Sequence, residues 1–117
     1  MPYAGILESL LAQVPGSVAA LLVDAQGELV VGAGGMDDRQ RLIGAYEGIA
    51  LTIAARAARR TGAGAVRSLA WRHQEGTVLL VPLHDGYYLM LSLQPQALVA
   101  LALRRCEEAR IRLDAEI

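Results

Sequence analysis

Residues 28–38 read ELVVGAGGMDD: an apolar run, three glycines at 32, 34 and 35, then two aspartates at 37 and 38. The order resembles the strand–glycine–helix turn that offers backbone N–H groups to a pyrophosphate in dinucleotide-binding folds. Three features argue against that reading. The fingerprint's third glycine would fall at position 37, which is Asp37. Asp37 and Asp38 also bring negative charge to the helix N-terminus, where they satisfy the dipole and the free N–H groups that a phosphate would otherwise use. Finally, the preceding segment makes "ELVVGA" the second arm of a hairpin, not the first strand of a parallel βαβ unit. The stretch is therefore read as a strand-to-helix connection with Asp37 or Asp38 as N-cap.

The hairpin's first arm is "SVAALLV" at 17–23, apolar at every position but the first and so suited to a strand covered on both faces. "DAQG" at 24–27 is its turn. Upstream, "YAGILESLLAQV" places Ile6, Leu7, Leu10, Leu11 and Val14 on one helical face, ended by Pro15-Gly16. Downstream, a long helix is predicted from about Asp38 to Thr61, stopped by Gly62 and Gly64. "AVRSLAWRHQ", "TVLLVPL" and "YYLMLSL" read as three more strands, separated by Glu75-Gly76 and by His84-Asp85-Gly86. Asp-Gly tolerates positive φ and is a strong hairpin signal. Pro95 is read as opening a last helix that runs nearly to Ile117. The predicted order is αββαβββα in a single domain over 1–117, an α+β chain without a linker or repeat.

Composition narrows the chemistry. A chain of 117 residues, 54% hydrophobic and 20% charged, can build one core of its own. The net charge of −1 gives no electrostatic case for nucleic acid. All 11 basic residues are arginine, which excludes a Walker A loop or a Schiff-base lysine. Cys106 has no partner for a disulfide and falls on the apolar face of the last helix with Val99, Ala102, Ala109 and Leu113, as a buried structural thiol would. The start of the chain lacks a basic n-region and no apolar run is long enough to span a bilayer, so a cytoplasmic protein without membrane contact is expected. His73 and His84 have no metal-spaced companions, and Asp24 and Asp85 occupy turns where aspartate bonds nearby backbone. No serine stands in a nucleophile elbow. Neither a catalytic constellation nor a cofactor site emerges, and no enzyme is expected.

The long helix carries more apolar surface than one sheet requires. At about 100° per residue, Leu42, Tyr46, Ile49, Ile53 and Ala57 form one stripe. Gly44, Gly48, Leu51, Ala55 and Ala58 form a second, small-residue stripe on another side. Each glycine lowers helix propensity by about 1 kcal/mol relative to alanine, a cost that suits close approach of another backbone. The expectation is a two-fold homodimer whose contact uses Gly44, Gly48, Leu51 and Ala55, together with Leu69 and Trp71 from the strand that follows. Arg67 and Arg72 mark that strand as an edge. The helix's polar sector places Arg41, Arg56, Arg59 and Arg60 on a surface suited to an acidic partner.

"VPGSVAALLVDAQGELVVGAG", the long small-residue helix, "GTVLLVPLHDGYYLMLSL" and the closing helix together resemble the roadblock/dynein light chain family over about residues 3–115. Order and spacing carry the resemblance more than any single motif. It implies a five-stranded antiparallel sheet with the long helix on one face and the two terminal helices on the other. It further implies dimers in which the long helices pack together and the third strands extend the sheet. Family members are adaptors rather than enzymes, and many prokaryotic ones act with small Ras-like GTPases, some accelerating GTP hydrolysis. The chain ends with its third helix, lacking the C-terminal extension of the gliding-motility regulator. The resemblance therefore implies GTPase binding, as scaffold or modulator, and does not by itself extend to activation of hydrolysis. A contrasting expectation is a small-molecule-sensing domain, with Glu47 as the polar group inside an apolar pocket, or a purely structural dimerisation domain.

Overall fold

The computed structural model describes residues 2–35 and 37–117. Its elements follow the predicted order: α1 (Pro2–Gln13), β1 (Ser17–Val23), β2 (Leu29–Gly34), α2 (Asp38–Arg60), β3 (Leu69–His73), β4 (Gly76–Pro82), β5 (Tyr88–Leu93) and α3 (Val99–Glu116), with a short 3-10 turn at His84–Gly86. All pairings are antiparallel, and the sheet order is β2-β1-β5-β4-β3, leaving β2 and β3 as edges.

The alternation of side chains along the central strands divides the interior into two layers. Ala20 and Leu22 of β1, Leu79 and Val81 of β4, and Leu89, Leu91 and Leu93 of β5 face α1 and α3. There they meet Ile6, Leu7 and Leu10, and Ala102, Cys106, Ala109 and Leu113. Ala19, Leu21 and Val23, Val78 and Leu80, and Tyr88 and Met90 point to the opposite face, under α2. Three central strands covered on both sides account for their nearly continuous apolar sequences.

Two boundaries differ from the sequence reading. The last helix starts at Val99, not Pro95, because 94–98 first closes a turn in which the Ala97 N–H donates to the Gln94 carbonyl at 3.1 Å. The third strand starts at Leu69, since the ladder with β4 begins where Leu69 meets Leu80 and residues 65–68 precede it. The glycine-rich connection has a structural role. The Gly35 N–H donates to the Val18 carbonyl at 2.8 Å. Gly34 has φ +86, and a Cβ there would lie 2.5 Å from the Val18 oxygen. Asp37 caps α2, its carboxylate accepting from the Gln40 N–H at 2.9 Å. At the other end of the sheet, Asp85 (φ 59) and Gly86 (φ 80) form the positive-φ turn that the Asp-Gly pair predicts.

Candidate functional site

The two stripes of α2 lie on different sides from those the sequence suggested. Gly44, Gly48 and Leu51 face the chain's own sheet. A Cβ on Gly44 would lie 3.4 Å from Leu21 Cδ2 and 3.6 Å from Met90 Sδ, and one on Gly48 would collide with the Tyr88 hydroxyl. Leu51 is buried in the layer beneath the helix, and Ala55 is partly buried, lining a cleft beside the helix. The close backbone approach that these small residues permit is thus to the sheet within the chain, and Gly44, Gly48 and Leu51 are not an open surface for a second copy. The large apolar stripe is the open one: Leu42, Tyr46, Ile49 and Ile53 are 57%, 65%, 57% and 61% exposed. Four bulky apolar side chains in line on one helix form a contiguous patch of the kind that marks an interaction site.

β3 adds to this surface. It pairs only with β4, so its outer edge presents free backbone donors and acceptors. Leu69, Trp71 and His73 share one face of the strand by the period of two. Leu69 packs against the layer under α2, which sets that face on the helix side of the sheet. Trp71, 46% exposed, therefore lies on the same side as the α2 stripe.

The four arginines are all exposed and form no ion pair among the described residues. Arg56, Arg59 and Arg60 gather at the C-terminal end of α2. Arg41 stands five turns away, roughly 27 Å along the axis at about 1.5 Å per residue, so a single chain does not bring it to the other three. Only an antiparallel partner helix would.

The remaining candidates are occupied by structural roles. The Asp24 carboxylate accepts from the Gln26 and Glu28 N–H groups at 2.9 Å each, closing the β1–β2 turn. That turn abuts the β4–β5 turn at Ala25 and Gly86, but Asp24 remains committed to its own backbone. The His84 N–H donates to the Asp114 carboxylate at 3.0 Å, and the ring bonds the Asp114 carbonyl at 3.1 Å. This contact raises the imidazole above its ordinary value, with Asp85 adding to the effect. Burial pushes the Cys106 thiol up to about 12, so it stays protonated and poorly nucleophilic. Glu47 is partly buried, and desolvation raises its carboxyl while His73 on β3 pulls it down. It faces β3 and lines neither of the clefts beside α2, which removes it as the polar group of a ligand pocket. Among the described residues no three potential metal ligands cluster, and no helix is long and apolar enough to cross a membrane.

A five-stranded antiparallel sheet in the order β2-β1-β5-β4-β3, with one long helix on one face and two terminal helices on the other, defines a three-layer α+β domain, and the comparisons specify which. The roadblock/LC7 domain model matches residues 3–92, and the chain belongs to that family. The likeness of fold continues through α3. A roadblock/LC7 domain from Streptomyces avermitilis superposes with a TM-score of 0.85 at 18% identity, over 96% of this chain and 94% of that one. MglB of Myxococcus xanthus gives 0.86 at 13% identity, over 98% and 94%. An MglB in a tetrameric arrangement gives 0.87 at 14% identity, over 97% and 86%. No curated protein matches the sequence significantly.

Proposed function

We propose that the protein is a non-catalytic, cytoplasmic homodimeric adaptor that binds a small Ras-like GTPase, as a scaffold or a modulator of its activity. The observation that carries the reading is the exposed stripe Leu42–Tyr46–Ile49–Ile53 on α2, lying on the same side as Trp71 of the free edge β3. A two-fold axis beside α2 would cover both at once, helix on helix and β3 on β3, since an isologous contact uses the same patch twice. The tetrameric arrangement reported for an MglB of the same fold is in keeping with self-association. The GTPase as partner rests on membership of the roadblock family and on its prokaryotic members' association with such proteins.

In this dimer, antiparallel α2 helices set Arg41 of one copy towards Arg56, Arg59 and Arg60 of the other, making a basic ridge on each side of the contact. Arginine suits bidentate docking of carboxylates on a partner. Charges at such a rim act mainly on association rate and its salt dependence. Arg56→Glu combined with Arg59→Glu is expected to leave dimerisation intact and to slow association with the GTPase, most at low salt. Equal recovery of the GTPase by parent and double variant at every salt concentration would place the docking surface elsewhere.

A further inference from the structure

A cleft of about 700 Å³ opens beside the C-terminal half of α2. The helix forms one wall, the 64–66 segment that returns from it a second, and the adjoining β1–β2 and β4–β5 turns the floor. The volume lies within the range of small-molecule sites. Its walls are chiefly apolar: Ile49, Leu51 and Ala55 from α2, Val66 from the return, and Leu83 and Tyr88 from below. Among all the lining residues only one carries a formal charge, Arg59, and none carries a carboxylate. Arg59 forms no ion pair among the described residues. An apolar chamber with a single free guanidinium in its wall complements a ligand with an apolar body and one anionic head.

We propose that this cleft is a binding site for an amphipathic monocarboxylate, an aliphatic or aromatic acid whose body lies between α2 and the two turns and whose carboxylate pairs with Arg59. The helix meets the sheet closely at Gly48, which sits directly over Tyr88, and Ala55 and Arg59 line the cleft further along the helix. An extended acid would enter body first, leaving its head at the guanidinium. A planar guanidinium matches a carboxylate through two parallel N–H donors, and Arg59, exposed at the cleft wall, can meet the head without giving up its access to water. The site belongs to one chain but shares Arg59 with the proposed docking ridge and Ile49 with the proposed dimer stripe, so dodecanoate binding is measured on the chain without a GTPase.

The test is calorimetric titration of the full chain with dodecanoate, in parallel with dodecanol and dodecyltrimethylammonium as neutral and cationic probes of equal length. Saturable binding of dodecanoate at one per chain is expected, with the cation weaker than the alcohol. Arg59→Gln should weaken dodecanoate by about tenfold or more, as loss of a charged hydrogen-bond partner implies, while leaving dodecanol unchanged. Ala55→Trp, which fills the chamber, should abolish both, with its circular dichroism and cooperative melt reporting that the chain still folds. Should Ala55→Trp not fold, Ala55→Leu with a graded loss serves the same purpose. No saturable binding, equal binding of all three probes, or undiminished binding by the filled variant would each overturn the proposal. So would a cleft closed by the second copy, seen as tighter dodecanoate binding on dilution to monomer and none in the dimer.

Discussion

The Tyr88 phenol donates to the Gly44 carbonyl oxygen at 2.9 Å, tying β5 to the second turn of α2 across 44 residues of chain. The bond is buried, and burial raises the phenol above its ordinary value. It explains the composition of the helix above it. A ring that rises from the sheet to reach the helix backbone leaves no room for a Cβ at position 48.

Three variants probe this strut. Tyr88→Phe removes the hydrogen bond and should cost about 0.5–1.5 kcal/mol. Gly48→Ala gains about 1 kcal/mol of helix propensity but forces overpacking that typically costs about 1–3 kcal/mol, so a net loss is expected. In the double variant the obstructing hydroxyl is absent, and the two losses should fall short of additive. Urea unfolding of the four proteins measures the coupling. Strict additivity would mean that the two residues do not touch in solution.

Which stripe of α2 meets the sheet was not legible in the sequence. Helical periodicity separates Leu42, Tyr46, Ile49 and Ile53 from Gly44, Gly48, Leu51 and Ala55, but the angle between two stripes is the same whichever one is inside. The usual expectation seats small residues against a neighbouring helix. Here the tyrosine beneath reverses it, and the pointer was available in "YYLMLSL": alternation puts Tyr88 and Met90, two long side chains, on the face that α2 must cover. By contrast, β1 was legible residue for residue, and an aspartate N-cap was legible as Asp37 or Asp38, of which the structure uses Asp37, because continuous burial and capping are local signals. The start of α3 was not, because Pro95 suits a tight turn as well as a first helical turn.

Cys106 gives a stability prediction with a defined sign. Its pKa rises from 9.0 to about 12 on folding, so the folded chain holds the proton more tightly than the unfolded one. The contribution is full below pH 9 and is lost as pH rises towards 12, where the unfolded state ionises first. Denaturation midpoints should fall over that window, and by less in Cys106→Ala, whose baseline should be modestly lower. In parallel, the native thiol should resist alkylation at pH 8 and react promptly in denaturant. Fast alkylation of the native protein would show that α3 does not seal the thiol.

His84 offers a second titration. Its contact with the Asp114 carbonyl is the first cause of a pKa raised above 6.5, with Asp85 and Asp114 charges adding to it against some desolvation. A raised folded value means the turn's attachment to α3 is complete below pH 6.5 and relaxes as pH climbs through the folded pKa. An NMR titration should place His84 above 6.5. Asp114→Ala keeps the backbone carbonyl but removes the carboxylate that accepts from the His84 N–H, so it should lower the midpoint only in part. A parent midpoint at or below 6.5 would mean that the turn is not held to α3 in solution.

The central claim is that the exposed stripe of α2 is where a second copy sits, and sedimentation equilibrium tests it most directly. The parent should sediment as a dimer of the 12.5 kDa chain at micromolar concentration. Tyr46→Glu combined with Ile53→Glu should weaken the dimer by about a hundredfold or more, since each copy would bury two unpaired carboxylates, with the far-ultraviolet dichroism of the fold retained. A parent that remains at 12.5 kDa at the highest attainable concentration, or a double variant that dimerises as the parent does, would contradict the account.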